Sequence, residues 1–458
     1  MLHPAPLDVA SVSAMRNRPQ HLPPGPGLRS VLEIGQDPIY GPVRLKREFG
    51  SIAYMPIGPG FAPIYSVSDP DMVHQVLVKE RDRYIKDRFI KWMSPVFGDG
   101  LLVTDGEKWE RARRMITPAF RPRALRSYGE VMTRATHNAL ERLDVRKGFD
   151  MEAWTRDLAL DIALESLFGA ELGDKGPRVA QALDDLLVFA DGVLGRITKP
   201  PAKLPLRMNR ALWRGMKVMD EVIDEILDER AQSDEERLDL LAMLLGARDG
   251  DGSALSPQEV HDQIITLLLA GHETTALSLA YAMMLLGWNP RVVERAQAEL
   301  DSVVGDRDVE LEDLRKLTYL NQIIQESLRK YPPAAITVRQ AAQEDTIAGY
   351  TIPVGAQVLI PIWSLHHDER FWERPYAFDP DRWTREKSAE RPRYSFLPFG
   401  GGNRVCVGEQ FARMEMQIVL ATLLKKFNPR TLIDTPPHLN LLVTMRPETP
   451  IRIELQPR

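Results

Sequence analysis

The chain is nearly without cysteine. Of its 458 residues, only Cys406 carries a thiol. One thiol excludes an intramolecular disulfide, a four-cysteine metal site and covalent cofactor attachment through C-x-x-C-H. A reducing cytosol fits such a chain. Excess charge of one sign is also missing: the net charge of -5 argues against general nucleic-acid binding. No Gly/Ser-rich linker, low-complexity tract or repeat divides the sequence, although its length alone would allow about three domains. Long apolar runs are absent from the first 20 residues, which are broken by Pro4, Pro6, Asp8 and Arg16. A membrane span needs roughly 18 apolar residues, and a signal peptide needs a continuous apolar core. Residues 1–21 therefore read as a flexible extension without an anchor, and the location as cytoplasmic.

At 44% hydrophobic residues the chain can bury a large core. "LPPGPG" (Leu22 to Gly27) is a stiff, extended lead-in. Two short strand patterns follow, "SIAYMPIG" (Ser51 to Gly58) and "APIYSV" (Ala62 to Val67). From about Asp69 to Leu245 most segments read helical. The clearest helix starts at "SPQE", where Ser256 caps, Pro257 takes the first helical position and Glu259 completes a capping box. Its apolar pattern runs to Trp288, about 32 residues or about 48 Å, so it must cross a whole domain. Another helix covers Thr318 to Lys330 and stops before Pro332. Strand candidates "AITVRQA", "TIAGYTI" and "AQVLIPI" come next, and a last helix runs from just after Cys406 to about Lys425. The predicted class is mainly α with a minor β region: residues 22–458 form one large α-rich domain with a small β-rich N-terminal lobe.

The stretch "FGGGNRVCVGEQFA" (Phe399 to Ala412) puts the one thiol between a glycine-rich loop and a helix start. A lone cysteine is ordinarily a small buried hydrophobe. A phosphate loop fails in detail, because Val405 stands where G-x-G-x-x-G needs glycine and no Gly-Lys-Ser/Thr follows. A helix start favours a thiolate. The glycines let backbone amides approach the sulfur and tune it. Phe399 and Val405 keep water away, and Arg404 adds a cation. A single thiolate with no second protein ligand suits a metal already held by a macrocycle, namely haem iron.

Phe399-x-x-Gly402-x-Arg404-x-Cys406-x-Gly408 resembles the haem-binding signature of the cytochromes P-450 at all five fixed positions. The resemblance implies haem b with Cys406 as axial thiolate. It extends over most of the chain. Glu326 and Arg329 match the family's structural E-x-x-R, and "FDPDRW" resembles the motif whose arginine, here Arg382, completes that group. The pattern alone is cheap, since it recurs at Glu80/Arg83, Glu110/Arg113, Glu312/Arg315 and Glu390/Arg393. Only Glu326/Arg329 precedes "YPP" and the strand cluster. Trp109 and Arg113 match W-x-x-x-R, which implies a clamp on a haem propionate, with Arg339 and Arg404 as further partners. Arginine suits forked carboxylate contacts.

"AGHETT" (Ala270 to Thr275) is expected to interrupt the long helix. Gly271 is costly there, and threonine hydroxyls can bond back to carbonyls one turn earlier. The family's A/G-G-x-D/E-T segment implies that Ala270 and Gly271 lie over the haem, that Thr274 is the oxygen-pocket alcohol and that Glu273 is its acidic neighbour. His272 receives no role.

The resemblance implies a monooxygenase that puts one atom of dioxygen into an organic substrate. Two electrons must come from a separate partner, because no flavin or nicotinamide motif is present. Between Glu107 and Arg126, seven basic residues (Lys108, Arg111, Arg113, Arg114, Arg121, Arg123, Arg126) outweigh Glu107 and Glu110, a local charge of +5. This suits an acidic ferredoxin or flavodoxin. Phe89 to Val103 and Ala335 to Val338 are expected to border the pocket, which points to an apolar fatty acid, terpenoid, steroid or polyketide. The alternatives are a haem-thiolate isomerase, dehydratase or peroxygenase, and a non-enzymatic haem carrier or gas sensor.

Overall fold

A computed structural model of the chain describes residues 22–57, 62–145, 147–169, 175–194, 206–232 and 239–458. The expected 1–21 extension lies outside them. Two compact units emerge. The first contains the chain through Arg88, Leu328–Cys406 and Leu439–Arg446. The second contains Phe89–Ser327, Val407–His438 and Pro447–Arg458.

The first unit is built on a five-stranded sheet. Its strands lie in the order Ile52–Met55, Ile64–Val67, Gln357–Ile360, Thr337–Ala341, Tyr84–Lys86. All neighbours are antiparallel except Ile64–Val67 and Gln357–Ile360, which run parallel. The β-rich lobe is therefore only partly N-terminal, because two of its strands come from beyond residue 330. Tyr65, Val67, Val358 and Ile360 are buried in its core together with Val73 and Leu77 from the next segment. The expected single strand "TIAGYTI" is instead a hairpin, Asp345–Ile347 against Tyr350–Ile352. Ala348 and Gly349 both have positive φ, 50° and 84°, the condition for a two-residue turn that matches strand twist.

The second unit is mainly helical. Its longest element is the helix Pro257–Gly287, 31 residues. The capping box forms as the sequence predicts: Ser256 Oγ accepts the Glu259 amide at 3.2 Å, and Glu259 Oε2 accepts the Ser256 amide at 2.8 Å. Asn289 and Pro290 end it. Most of its residues are buried, from Val260 to Leu286. Among the described residues it alone is long and apolar enough to cross a membrane, yet 78% of its most apolar window is buried inside the protein. It is a core helix. The helix Met151–Phe168 packs against it, and Thr155 Oγ1 donates to the Ala276 carbonyl at 2.9 Å. A three-stranded sheet, Phe149–Asp150, Arg452–Pro457 and Phe427–Thr431, accompanies these helices.

Removing the cap should loosen only the start of the long helix. Ser256→Ala should cost about 1 kcal/mol, so the exchange rate of the Glu259 amide should rise about five-fold. Amide exchange measured residue by residue checks this. Exchange at Leu279 and Ala280, deep in the helix, should not change.

Candidate functional site

Cys406 sits at the end of a loop that backbone geometry alone can shape. Gly400 and Gly402 have φ of 73° and 69°. A Cβ at Gly402 would overlap the Leu77 carbonyl, so this loop lies directly on the segment Gln75–Lys79. The Gly400 amide donates to the Leu397 carbonyl at 3.0 Å, and the Cys406 amide donates to the Phe399 carbonyl at 2.9 Å. Cys406 is exposed. A small apolar side chain is ordinarily buried, so this exposure is informative. Phe399, Gly402, Arg404 and Gly408 are half-buried. The helix Glu409–Lys426 begins immediately after Gly408.

Arg329, in the same unit, is fully buried, and Glu326, one turn earlier on the helix Thr318–Lys330, is equally buried. Arg329 Nη1 donates to the carbonyls of His366 and Pro375, both at 2.8 Å, and Nη2 donates to Ala377 at 3.1 Å. Its guanidinium lies over the Trp372 ring at 5.1 Å. Arg382 is also buried, and its Nη2 donates to the Arg374 carbonyl at 2.8 Å. The two arginines thus bracket one stretch of chain, Arg374 to Ala377. Glu80 and Arg83, the same sequence pattern, form an ordinary exposed i,i+3 pair at 2.7 Å. Arg339 is buried in the strand Thr337–Ala341, where Nη1 donates to Thr337 Oγ1 at 3.0 Å and to the Val338 carbonyl at 2.9 Å.

The second unit carries the other predicted residues. The expected break at "AGHETT" is absent, and the helix runs through it. Thr274 Oγ1 does donate to the Ala270 carbonyl, at 2.9 Å, and Thr275 Oγ1 donates to Gly271 at 3.0 Å. Ser278 Oγ repeats the pattern onto Thr274 at 2.8 Å. Back-bonding hydroxyls add to these carbonyls without breaking the helix. What changes at this point is exposure. Leu267, Ala270, Gly271 and Thr274 are accessible, whereas nearly all of their neighbours along the helix are buried. Their spacing of i, i+3, i+4, i+7 defines one face. Thr275 is buried on another. Glu273 and His272 are also buried. His272 Nδ1 is 2.8 Å from the Leu268 carbonyl, and burial lowers its pKa.

Trp109 is buried and Arg113 half-buried on the helix Gly106–Ile116, four residues apart on one face. The basic segment around them is less available than its sequence charge implies. Arg111 pairs with Glu259 and donates to the Ala254 carbonyl at 2.7 Å. Arg114 makes a two-pronged contact with Asp249 at 3.1 and 3.0 Å. Lys108 pairs with Asp99. Exposed Arg121, Arg123 and Arg126 remain as surface charge.

His366 and Gly400 escape sequence reasoning. The first binds only backbone groups far away in sequence, and the second is one of three consecutive glycines with nothing to single it out.

Comparison with known proteins assigns the class. The family model described as cytochrome P-450 matches residues 19–455. The cyclooctatin synthase of Streptomyces melanosporofaciens is 33% identical over 418 residues, 89% of each chain. The cyclooctat-9-en-7-ol 5-monooxygenase of the same organism is 32% identical over 385 residues, 83% of each. A putative cytochrome P-450 132 of Mycobacterium tuberculosis is 31% identical over 415 residues, 85% of this chain and 87% of its own. The chain belongs to the cytochrome P-450 family, with that family's mainly α fold. It is a haem monooxygenase that uses dioxygen, an organic substrate and a redox partner.

The buried arginine supports a direct test. Arg329→Lys keeps the charge but loses the fork, and leaves carbonyls unpaired in a dry site. It should lower stability by about 3 kcal/mol or more, read as a fall in the urea midpoint. Arg83→Lys, the same change in an exposed pair, should leave that midpoint unchanged.

Proposed function

We propose that Cys406, as thiolate, is the axial ligand of haem b, and that the chain hydroxylates an apolar substrate of the fatty acid, terpenoid, steroid or polyketide class. The observation that carries this is an exposed cysteine at the end of a glycine-shaped loop, in a chain that has no other thiol. A bound haem with a thiolate ligand supplies dioxygen activation, the thiolate favouring O–O cleavage. The rest of the assignment concerns the chain's own groups.

Arg404, Arg339, Arg113 and Trp109 hold the haem propionates. Arg339 and Trp109 are buried and Arg113 and Arg404 half-buried, where a forked cation binds a carboxylate best. Phe399, Gly402 and Gly408 shape the cysteine loop. Ala270 and Gly271 leave space on the open face of the long helix. Thr274 Oγ1 gives its own proton to the Ala270 carbonyl, so its oxygen remains an acceptor that can hold a water. The buried carboxyl group of Glu273, its chain neighbour, replenishes protons. Glu326, Arg329 and Arg382 are scaffold.

Two Streptomyces relatives are named for cyclooctatin and cyclooctat-9-en-7-ol, and a terpenoid is one apolar class that fits the expected pocket. Fatty acids, steroids and polyketides are the other apolar classes. The electron donor is an acidic ferredoxin or flavodoxin that meets Arg121, Arg123 and Arg126, and the location is cytoplasmic. An isomerase or peroxygenase would not need the hydroxyl and carboxyl group at 274 and 273.

The reduced carbon monoxide complex should show the red-shifted Soret band of a thiolate ligand, and Cys406→His should lose it. A histidine-type band in the wild type would end the reading. Thr274→Ala should still bind substrate and consume electrons and oxygen, yet release more hydrogen peroxide and less product. Thr275→Ala should do so much less, because Thr275 is buried away from the open face. The ratio of product to electrons consumed, taken for both variants and the wild type, is the measure.

A further inference from the structure

His366 lies in the first unit, on the short helix Ile362–His366, and is fully buried. It is far in sequence from the cysteine, and no role in the site follows from the motifs. Its ring is nonetheless committed at both nitrogens. Nε2 is 2.8 Å from the amide nitrogen of Leu397. An amide can only donate, so Nε2 carries the lone pair. The proton is therefore on Nδ1, which lies 3.2 Å from the Arg329 carbonyl and donates to it. Two backbone groups thus fix one tautomer of a neutral imidazole. Burial and the adjacent Arg329 guanidinium agree with this, lowering its pKa to about 3.

The two backbone partners are the important ones. Arg329 is a fully buried cation whose guanidinium donates to three carbonyls, one of them that of His366 itself. Leu397 begins the cysteine loop. Its carbonyl accepts the Gly400 amide at 3.0 Å, and two residues on the Phe399 carbonyl accepts the Cys406 amide at 2.9 Å. The His366 ring also packs on Phe396 at 5.1 Å between centroids, and Phe396 in turn packs on Trp383 at 4.4 Å. An unbroken series of contacts therefore runs from the buried arginine turn through one imidazole to the loop that presents the thiol.

We propose that His366 is a positioning residue. It transmits the fixed place of the Arg329 turn to Leu397, and so holds the Phe399–Cys406 loop in the one conformation that presents Cys406 as a thiolate ligand. This rests on the reading of Cys406 as the haem ligand. Without the imidazole acceptor, the Leu397 amide is buried and unpaired. The loop then gains alternatives in which the sulfur is displaced or takes up a proton.

Two amides that differ by one methylene separate this role from simple packing. His366→Asn can reproduce only the bond at Nδ1, because its side chain ends there. His366→Gln reaches the Nε2 position and can accept from Leu397. In the holoprotein, His366→Asn should raise amide exchange at Leu397 about ten-fold or more. It should also convert about half or more of the reduced carbon monoxide complex from the thiolate-type band to a non-thiolate band. His366→Gln should stay within about two-fold of wild type in exchange and keep the thiolate band. If His366→Asn does not accumulate as holoprotein, His366→Phe, which keeps the ring volume but cannot accept, is read in its place. Ile360→Ala, a fully buried change in the sheet of the same unit, is the control for general loss of stability and should keep the thiolate band.

Full retention of the thiolate band in the acceptor-less variant would overturn the proposal. So would equal loss in His366→Gln or in Ile360→Ala. A wild-type protein without a thiolate band would remove the reading of Cys406, and this inference with it. Unchanged exchange at Leu397 in a protein with a normal band would remove only the inference.

Discussion

A guanidinium does not shed its charge on burial, and this constraint orders the first unit. Arg329 has no access to water. Taking such an ion out of solvent costs several kcal/mol unless its donors are met. Three carbonyls, from His366, Pro375 and Ala377, accept from it. Pro375 and Ala377 belong to chain that has no regular structure of its own, and the arginine ties it to the end of the short helix Ile362–His366. Arg382 fixes the Arg374 carbonyl from the same stretch, where Arg374 itself adopts a positive φ of 48°. This irregular stretch is thereby held by side-chain donors. The glycine loop that ends at Cys406 follows from it.

The second unit solves a different problem. A 31-residue helix with a nearly continuous apolar surface must be covered on all sides. From Asp262 to Leu286 it is covered except on one face, at Leu267, Ala270, Gly271 and Thr274. Small residues and a hydroxyl lie where a larger apolar side chain would have filled the space. Thr274, Thr275 and Ser278 each return a hydroxyl to a carbonyl one turn earlier, which keeps polar groups satisfied inside an apolar body. The helix can carry hydroxyls through its centre without a break, and only the one at 274 is accessible.

Much of this was legible in the sequence where the cause was local. The capping box at Ser256, the extent of the helix Thr318–Lys330 and the helix start after Cys406 depend on neighbours a few residues away. The cysteine loop was legible because five spaced residues match one family signature. Where partners are distant, the sequence misleads. Arg114 read as a free docking charge, but its partner Asp249 is 135 residues away. Arg111 reaches Glu259 over 148 residues. His366 showed no pattern, because its partners are backbone groups 37 and 31 residues off, and every residue has a backbone. The strand "TIAGYTI" became a hairpin because Ala348 takes a positive φ, which alanine seldom does. The E-x-x-R pattern occurs at five positions, and burial is what separates Glu326/Arg329 from the exposed pair at Glu80/Arg83.

The account depends on one sulfur bound to one iron. Iron K-edge absorption of the purified holoprotein reads that bond directly. One sulfur scatterer should appear in the first shell of the wild type and disappear in Cys406→Ser. A wild-type shell of nitrogen and oxygen alone would contradict the account. So would a sulfur that survives in Cys406→Ser, because a methionine would then be the ligand.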